Sequence, residues 1–221
     1  MVASFTGLLD NKYGEQFDET ARGYMTHVID GAKRMQALLN GLLDFSRVGT
    51  RGGDIVPDNA ASIVNEAIDN LTVLIAENGA EVSVGDLPEI DADHGQMVRV
   101  FQNLIANAIK FRREEASPRI KISAERVEGF WEFSIEDNGI GIDPQYFDRI
   151  FAIFQRLHKR GEYPGEGIGL AVTKRIVERH GGKIWVESRP DEGAVFHLTV
   201  PAASYAVAPK RKEGDLVNAA H

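Results

Sequence analysis

The sequence predicts an α+β protein: a two-layer α/β sandwich preceded by a helical hairpin. Three observations carry this. Apolar residues repeat at helical spacing from Asp18 to Val48, the texture turns strand-like beyond Arg112, and the strands there are mostly consecutive, with one helix among them. A doubly wound sheet would alternate strands with helices throughout. With 221 residues and 43% hydrophobic content, the chain can bury the core of one large domain with an appendage.

The helical stripe comprises Ala21, Tyr24, Val28, Met35, Leu38, Leu42 and Phe45, widened by Met25, Ala32, Leu39 and Leu43. Asp18 suits its N-cap. Upstream, "MVASFTGLLD" is amphipathic and "NKYGEQFD" has the composition of a turn, so residues 1–48 read as a helical hairpin. A hairpin of this size buries little alone, which favours pairing with a second copy in a four-helix bundle, a homodimer. The glycines of "GTRGGD" place a linker at residues 49–56. Pro57 opens the main domain, residues 57–201, with a helical pattern through Ile63, Ala67, Leu71, Leu74 and Ile75. A strand "AEVSV", a Leu87-Pro88 turn and a helix from near Asp93 through "MVRVFQNLIANAIKF" come next. Then come four strands, "RIKISAE", "FWEFSIED", "GKIWVES" and "AVFHLTV", interrupted by a helix over Gly169–His180 that Gly181 and Gly182 terminate. Residues 202–221, with Pro209 and "KRKEGD", read as a disordered tail.

Composition narrows the function. A formal net charge of -8 argues against a nucleic-acid partner, which requires basic surface to displace counterions from phosphates. With no cysteine, disulfides and thiolate chemistry are excluded, which fits the cytoplasm. No apolar run approaches the ~20 residues of a membrane span, and the N-terminus lacks a signal-peptide pattern, so no direct membrane contact is expected of this chain.

Three motifs carry chemistry. In "EDNGIGIDP" a carboxylate, Asp137, stands at a strand end beside Gly139 and Gly141. In "GEGIGLAVTKRIV", Gly165, Gly167 and Gly169 run into a helix whose first N–H groups and dipole favour an anion, naturally a phosphate chain. In "NLIANAIK", Asn103, Asn107 and Lys110 share one face of a helix that is apolar nearly all round. Amide oxygens are hard donors suited to Mg²⁺, and an ammonium suits phosphate. The carboxylates scatter without metal-ligand spacing, and no nucleophile elbow or zinc pattern is present.

In this order the motifs resemble the ATP-binding domain of sensor histidine kinases, a Bergerat fold shared with type II topoisomerases and heat-shock chaperone ATPases. Asn103, Asn107 and Lys110 match the N box, Asp137, Gly139 and Gly141 the first glycine box, "FAIFQRL" the F box, and Gly165, Gly167 and Gly169 the second glycine box. "EGAVFHLTVP" looks like the small glycine box on the last strand. The resemblance implies ATP and Mg²⁺ as ligands, with Asp137 accepting from the adenine amine and Gly139 and Gly141 letting backbone approach the base. It implies Asn107 with Asn103 on Mg²⁺, Lys110 on phosphate, Phe111 flanking the nucleotide, and Leu170 beside the second glycine box as a further contact. Asp143 to Gly165 looks like the mobile ATP lid, rich in Arg156, His158, Lys159 and Arg160.

Residues 1–48 resemble the family's dimerization and phosphotransfer helices, with "RMQALLNGLLDFSRV" similar to the second helix of phytochrome-like kinases. The family's phosphoacceptor histidine precedes an acid and a Pro-Leu pair on the first helix, and "MVASFTGLL" resembles the segment just C-terminal to that box. The acceptor is therefore expected about two helical turns before Met1, and the chain alone is not expected to autophosphorylate. His27, His94, His180, His197 and His221 read as structural or solvated. The resemblance further implies transfer onward to a response regulator receiver domain. Two other readings are weighed: a clamp-type ATPase, whose water-activating glutamate would stand where this chain has Asn103, and a non-catalytic dimerising scaffold.

Overall fold

The structure is a computed structural model that describes residues 2–50, 52–155, 157 and 167–202. It opens with two antiparallel-stacked helices, α1 (Val2–Tyr13) and α2 (Glu19–Thr50). Asp18 caps α2 as expected, its Oδ1 accepting the Ala21 N–H at 2.7 Å, and Arg22 Nε donates back to the Gly14 carbonyl at 3.0 Å to close the turn. Much of the predicted stripe faces outward: Tyr24, Val28, Met35, Leu39, Leu42 and Leu43 are exposed, as are Phe5 and Leu8 on α1. Leu38, Phe45 and Val48 turn instead toward the main core.

Pro57 does not open a helix. It lies in β1 (Val56–Asn59), which pairs antiparallel with β3 (Glu89–Ala92), a strand that its acidic four residues, "EIDA", concealed. Asn59, which accepts the N–H groups of Ala61 (2.8 Å) and Ser62 (3.2 Å), is the stronger cap, and Pro is tolerated in so short a two-stranded ribbon. The helical pattern beyond it divides into α3 (Ala60–Asp69) and α4 (Thr72–Asn78), separated at Asn70–Leu71.

The main sheet runs β2 (Glu81–Val84), β4 (Arg119–Val127), β5 (Phe130–Asp137), β7 (Ala194–Pro201), β6 (Ile184–Ser188), with β2 parallel to β4 and the other pairs antiparallel. Glu128 and Gly129, both at positive φ, make the two-residue turn between β4 and β5. α5 (His94–Lys110) and α6 (Gly169–Arg179) cover one face, so the fold is the predicted α+β sandwich with a mixed sheet. Every core-facing residue of α5 from Met97 to Ile109 is buried, and Phe101 meets Phe133 of β5 edge-on at 5.6 Å. Burial of each such ring contributes on the order of 1.5–3 kcal/mol, which holds the apolar faces of α5 against the sheet. α6 stops in a Schellman motif: Gly181 (φ +76°) donates to Glu178 and Gly182 to Val177. A side chain at Gly182 would collide with the Thr199 carbonyl.

At the start of α5, His94 donates or accepts on both ring nitrogens: Nδ1 lies 2.7 Å from Asp58 Oδ2 and Nε2 2.8 Å from Glu66 Oε2. Glu66 first, then Asp58, hold its pKa above the ordinary histidine value, because two acceptors favour the doubly protonated ring. A base strengthened by folding contributes stability that is complete below the unfolded pKa and is lost as pH rises through the folded one. His94→Gln should therefore lower the melting temperature in mildly acidic buffer and lose that deficit toward alkaline pH. A deficit that grew with pH would contradict the contact.

Candidate nucleotide site

The site is built on α5. Asp93 caps it, accepting the Gln96 N–H at 3.2 Å, and its apolar faces are locked in the core, so the remaining face presents Asn103, Asn107 and Lys110, all half-buried. Asn103 Nδ2 reaches the Gly169 carbonyl and the Thr173 hydroxyl, both at 3.4 Å, which joins the N-box face to the start of α6. The Asn107 amide has no hydrogen-bond partner among the described residues. The half-buried amide is therefore open toward solvent, on a helix whose other faces are apolar and locked in the core, and is available to a ligand. Lys110 Nζ sits 4.3 Å from the centre of the Phe111 ring.

The loop after β5 is sewn to the end of this helix. The Phe111 carbonyl accepts the Ile140 N–H at 3.0 Å, and a side chain at Gly139 would come within 2.5 Å of the same oxygen. Gly141, at φ +70°, lies against the Arg189 carbonyl. Both glycines are thus required by contacts with protein backbone, a reason the sequence did not disclose. Asp137 Oδ1 accepts two N–H groups, from Gly139 at 2.8 Å and Ala194 at 3.2 Å, which leaves Oδ2 as the remaining acceptor. Burial pushes the Asp137 pKa up, and the two N–H donors partly offset that. Gly193 (φ +85°), the glycine of "EGAVFHLTVP", packs against the Asp137 carbonyl and so delivers the Ala194 N–H; the sequence matched this stretch to the small glycine box without disclosing its contact with Asp137.

The third wall is the approach to α6. Gly167 is left-handed (φ +71°) and its carbonyl accepts the Phe154 N–H at 2.9 Å. Ile168 precedes the helix without a side-chain cap, so the first N–H groups of α6, from Gly169 and Leu170 onward, lack intrahelical acceptors. Leu170 is half-buried against the core. Phe151 of the F box meets Phe196 edge-on at 6.5 Å. Gly165 and the lid cations Arg156, His158, Lys159 and Arg160 lie outside the described residues, as does the tail from 203.

A family model, described as histidine kinase-, DNA gyrase B- and HSP90-like ATPase, matches residues 92–204, the span that contains all three walls. The chain belongs to this ATPase family. It is 46% identical over 200 residues to the phytochrome-like protein Cph1 of Synechocystis sp., covering 90% of this chain and 27% of that one. The chain therefore spans about a quarter of the length of the curated relatives it matches. Among solved structures, full-length ShkA in complex with AMPPNP aligns over 92% of this chain and 42% of its own (TM-score 0.66, 27% identical). The catalytic domain of the histidine kinase ThkA aligns over 67% of this chain and 96% of its own (TM-score 0.58, 26% identical). The family assignment makes this a histidine-kinase-like ATPase domain within a sensor-kinase lineage.

The histidines sort structurally. His180 is buried, its Nδ1–H donating to the Ile176 carbonyl (2.8 Å) and Nε2 accepting the Asp93 N–H (2.9 Å); burial pushes its pKa down. His197 bonds Glu132 and Ser134 and stacks on Trp185. His27 is exposed on α2. Among the described residues no group of three or more His, Asp or Glu is placed to hold a metal ion, and no helix is long and apolar enough to cross a membrane.

The Asp137 carboxyl gives a direct check on this geometry. An acid weakened by folding binds its proton more tightly in the native state, so its contribution is most favourable in acid and is lost as pH rises through the folded pKa. Asp137→Asn keeps an acceptor for both N–H groups and deletes the buried charge. Without ligand, it should melt no lower than the parent chain at pH 7, any gain vanishing in acid. A large drop at pH 7 would mean that the ionised carboxylate itself holds the fold.

Proposed function

We propose that this chain is the ATP-binding catalytic core of a sensor histidine kinase. It takes the γ-phosphoryl group of ATP to a histidine outside this chain, from which it passes to an aspartate of a response regulator receiver domain. The observation that carries the reading is the convergence on α5 of an unpartnered amide, a carboxylate with one oxygen open and a helix start without a cap. Each is left available by the protein's own hydrogen bonds and is useful to one part of a nucleotide.

Asp137 Oδ2 accepts from the adenine exocyclic amine, where guanine would present an oxygen. Asn107, with Asn103, fits Mg²⁺ through amide oxygens, a hard-donor set that leaves most positions to water and phosphate. Mg²⁺, when bound, neutralises phosphate charge in the transferring group. Lys110 contacts phosphate, Phe111 flanks the nucleotide, and the N–H groups at Gly169 and Leu170, with Gly167 and Gly165 before them, accommodate the phosphate chain and the lid. Asn103 cannot act as the base that activates water, so the residues favour positioning for transfer over steady hydrolysis. None of the described histidines suits the acceptor: His94, His180 and His197 are engaged, and His27 is followed by "VIDG", with no acid beside it.

The chain accordingly divides into residues 1–48, a partial dimerization and phosphotransfer hairpin, 49–56, a linker, and 57–201, the catalytic domain. The exposed apolar residues of α1 and α2 support homodimerisation into a four-helix bundle, in a protein working in the cytoplasm.

Calorimetric titration with ATP and GTP, with and without Mg²⁺, tests the reading. The parent chain should prefer ATP and bind it more tightly with Mg²⁺. Asp137→Asn should weaken ATP about 10–100-fold, the worth of a hydrogen bond to a charged group, and Asn107→Ala should remove the Mg²⁺ increment. Equal affinity for ATP and GTP, or an Asn107→Ala chain that keeps its Mg²⁺ dependence, would refute these assignments.

A further inference from the structure

The segment between α2 and β1 is gripped by the far ends of the two helices that build the site. Asp93, the cap of α5, accepts the Gly53 N–H on Oδ2 at 2.6 Å and Arg179 Nη1 on the same oxygen at 3.0 Å. Arg179, the last residue of α6, also donates to Gln96 Oε1 (2.9 Å) and, through Nη2, to the Gly53 carbonyl (2.6 Å). Gln96 Nε2 in turn donates to the Val48 carbonyl at 3.1 Å. Both backbone groups of Gly53 and the carbonyl of buried Val48 are therefore held by three side chains of the nucleotide domain. Gly52 lies so close to the Arg179 guanidinium that a Cβ there would displace it. A second contact lies one helix length away, where Ile168, between Gly167 and Gly169, fills the space left by Gly41 of α2.

We propose that Arg179, Asp93 and Gln96 form a clasp that locks the end of α2, at Val48, and the linker, at Gly53, to the nucleotide domain and sets its orientation on the helical stem, so that any swing of the domain requires the clasp to open. Charge-assisted bonds to backbone suit such a latch: the Arg179–Asp93 pair is largely shielded from water, yet every linker partner is a main-chain group that water can replace when the linker leaves. Asp93 is also anchored inside the domain, by its bonds to the Gln96 N–H and to His180, and Arg179 by its bonds to Asp93 and Gln96, so the clasp has a base that does not involve the linker. The inference does not rest on which nucleotide the site takes.

The chain contains no cysteine, so Asp30→Cys on α2 and Glu125→Cys on β4, both outside the core, give unique spin-label positions. With labelled chain diluted into excess unlabelled chain, pulsed electron resonance reads the intrachain distance from stem to sheet. The parent should give one narrow distribution. Arg179→Met should broaden it or add a second distance, and Gly52→Ala, which evicts the guanidinium from the linker side without touching the domain core, should do the same. Hydrogen exchange at the Gly53 amide should accelerate about tenfold or more in both. Thermal melts establish that each variant is folded. An unchanged distance and unchanged Gly53 exchange in either folded variant overturns the proposal.

Discussion

The Phe111 carbonyl joins the two layers of the nucleotide domain, and the site depends on that junction. This one oxygen ends α5, accepts the Ile140 N–H and abuts Gly139, so the helix that carries Asn103, Asn107 and Lys110 is held in register with the strand end that carries Asp137. The apolar packing of α5 on the sheet gives the energy, but hydrophobic contact is non-directional and would tolerate a slide of the helix. The hydrogen bond removes that freedom. Gly139 has to be glycine for the approach to occur, and Gly193 has to be glycine for the Asp137 carbonyl to be reached from the other side. The carboxylate is thereby fixed by its neighbours within the protein itself, so a ligand that bonds its open oxygen need not order it first.

Legibility in the sequence tracked the range of the interactions. α2, α5, α6 and the four long strands were readable because their periodicity is a local property of neighbouring residues. β1 and β3 were not: each has four residues, and their pairing across some thirty residues of chain is decided by tertiary contact, with Asn59 overriding the helix-start signal of Pro57. The break at Asn70–Leu71 was hidden because the apolar spacing continues across it. At the site, the motif residues were readable as a set, but the reason for the glycines was not. Gly141 answers to Arg189, nearly fifty residues on, and no spacing rule reaches that far.

The same limit explains what the sequence left out. Arg179 carried no signal of its own in the sequence, and His180 read only as a structural or solvated residue at a helix end. In the fold they sit beside Asp93, and through it the ends of α5 and α6 opposite the nucleotide walls are tied to the linker. The ATPase domain is thus held at both ends of α6, by Ile168 against Gly41 near the site and by Arg179 at the linker. The outward apolar residues of the stem, Tyr24, Val28, Met35, Leu39, Leu42 and Leu43, are left exposed by the packing that holds the ATPase domain.

The most direct test of the central claim is amide NMR of the isotopically labelled chain as ATP and Mg²⁺ are added. The account predicts changes concentrated at the side-chain amides of Asn103 and Asn107 and at the backbone N–H groups of Gly139, Gly167, Gly169 and Leu170, with little response to GTP at the same concentration. Changes of equal size with GTP, or changes centred on the opposite sheet face around Trp185 and His197, would contradict it.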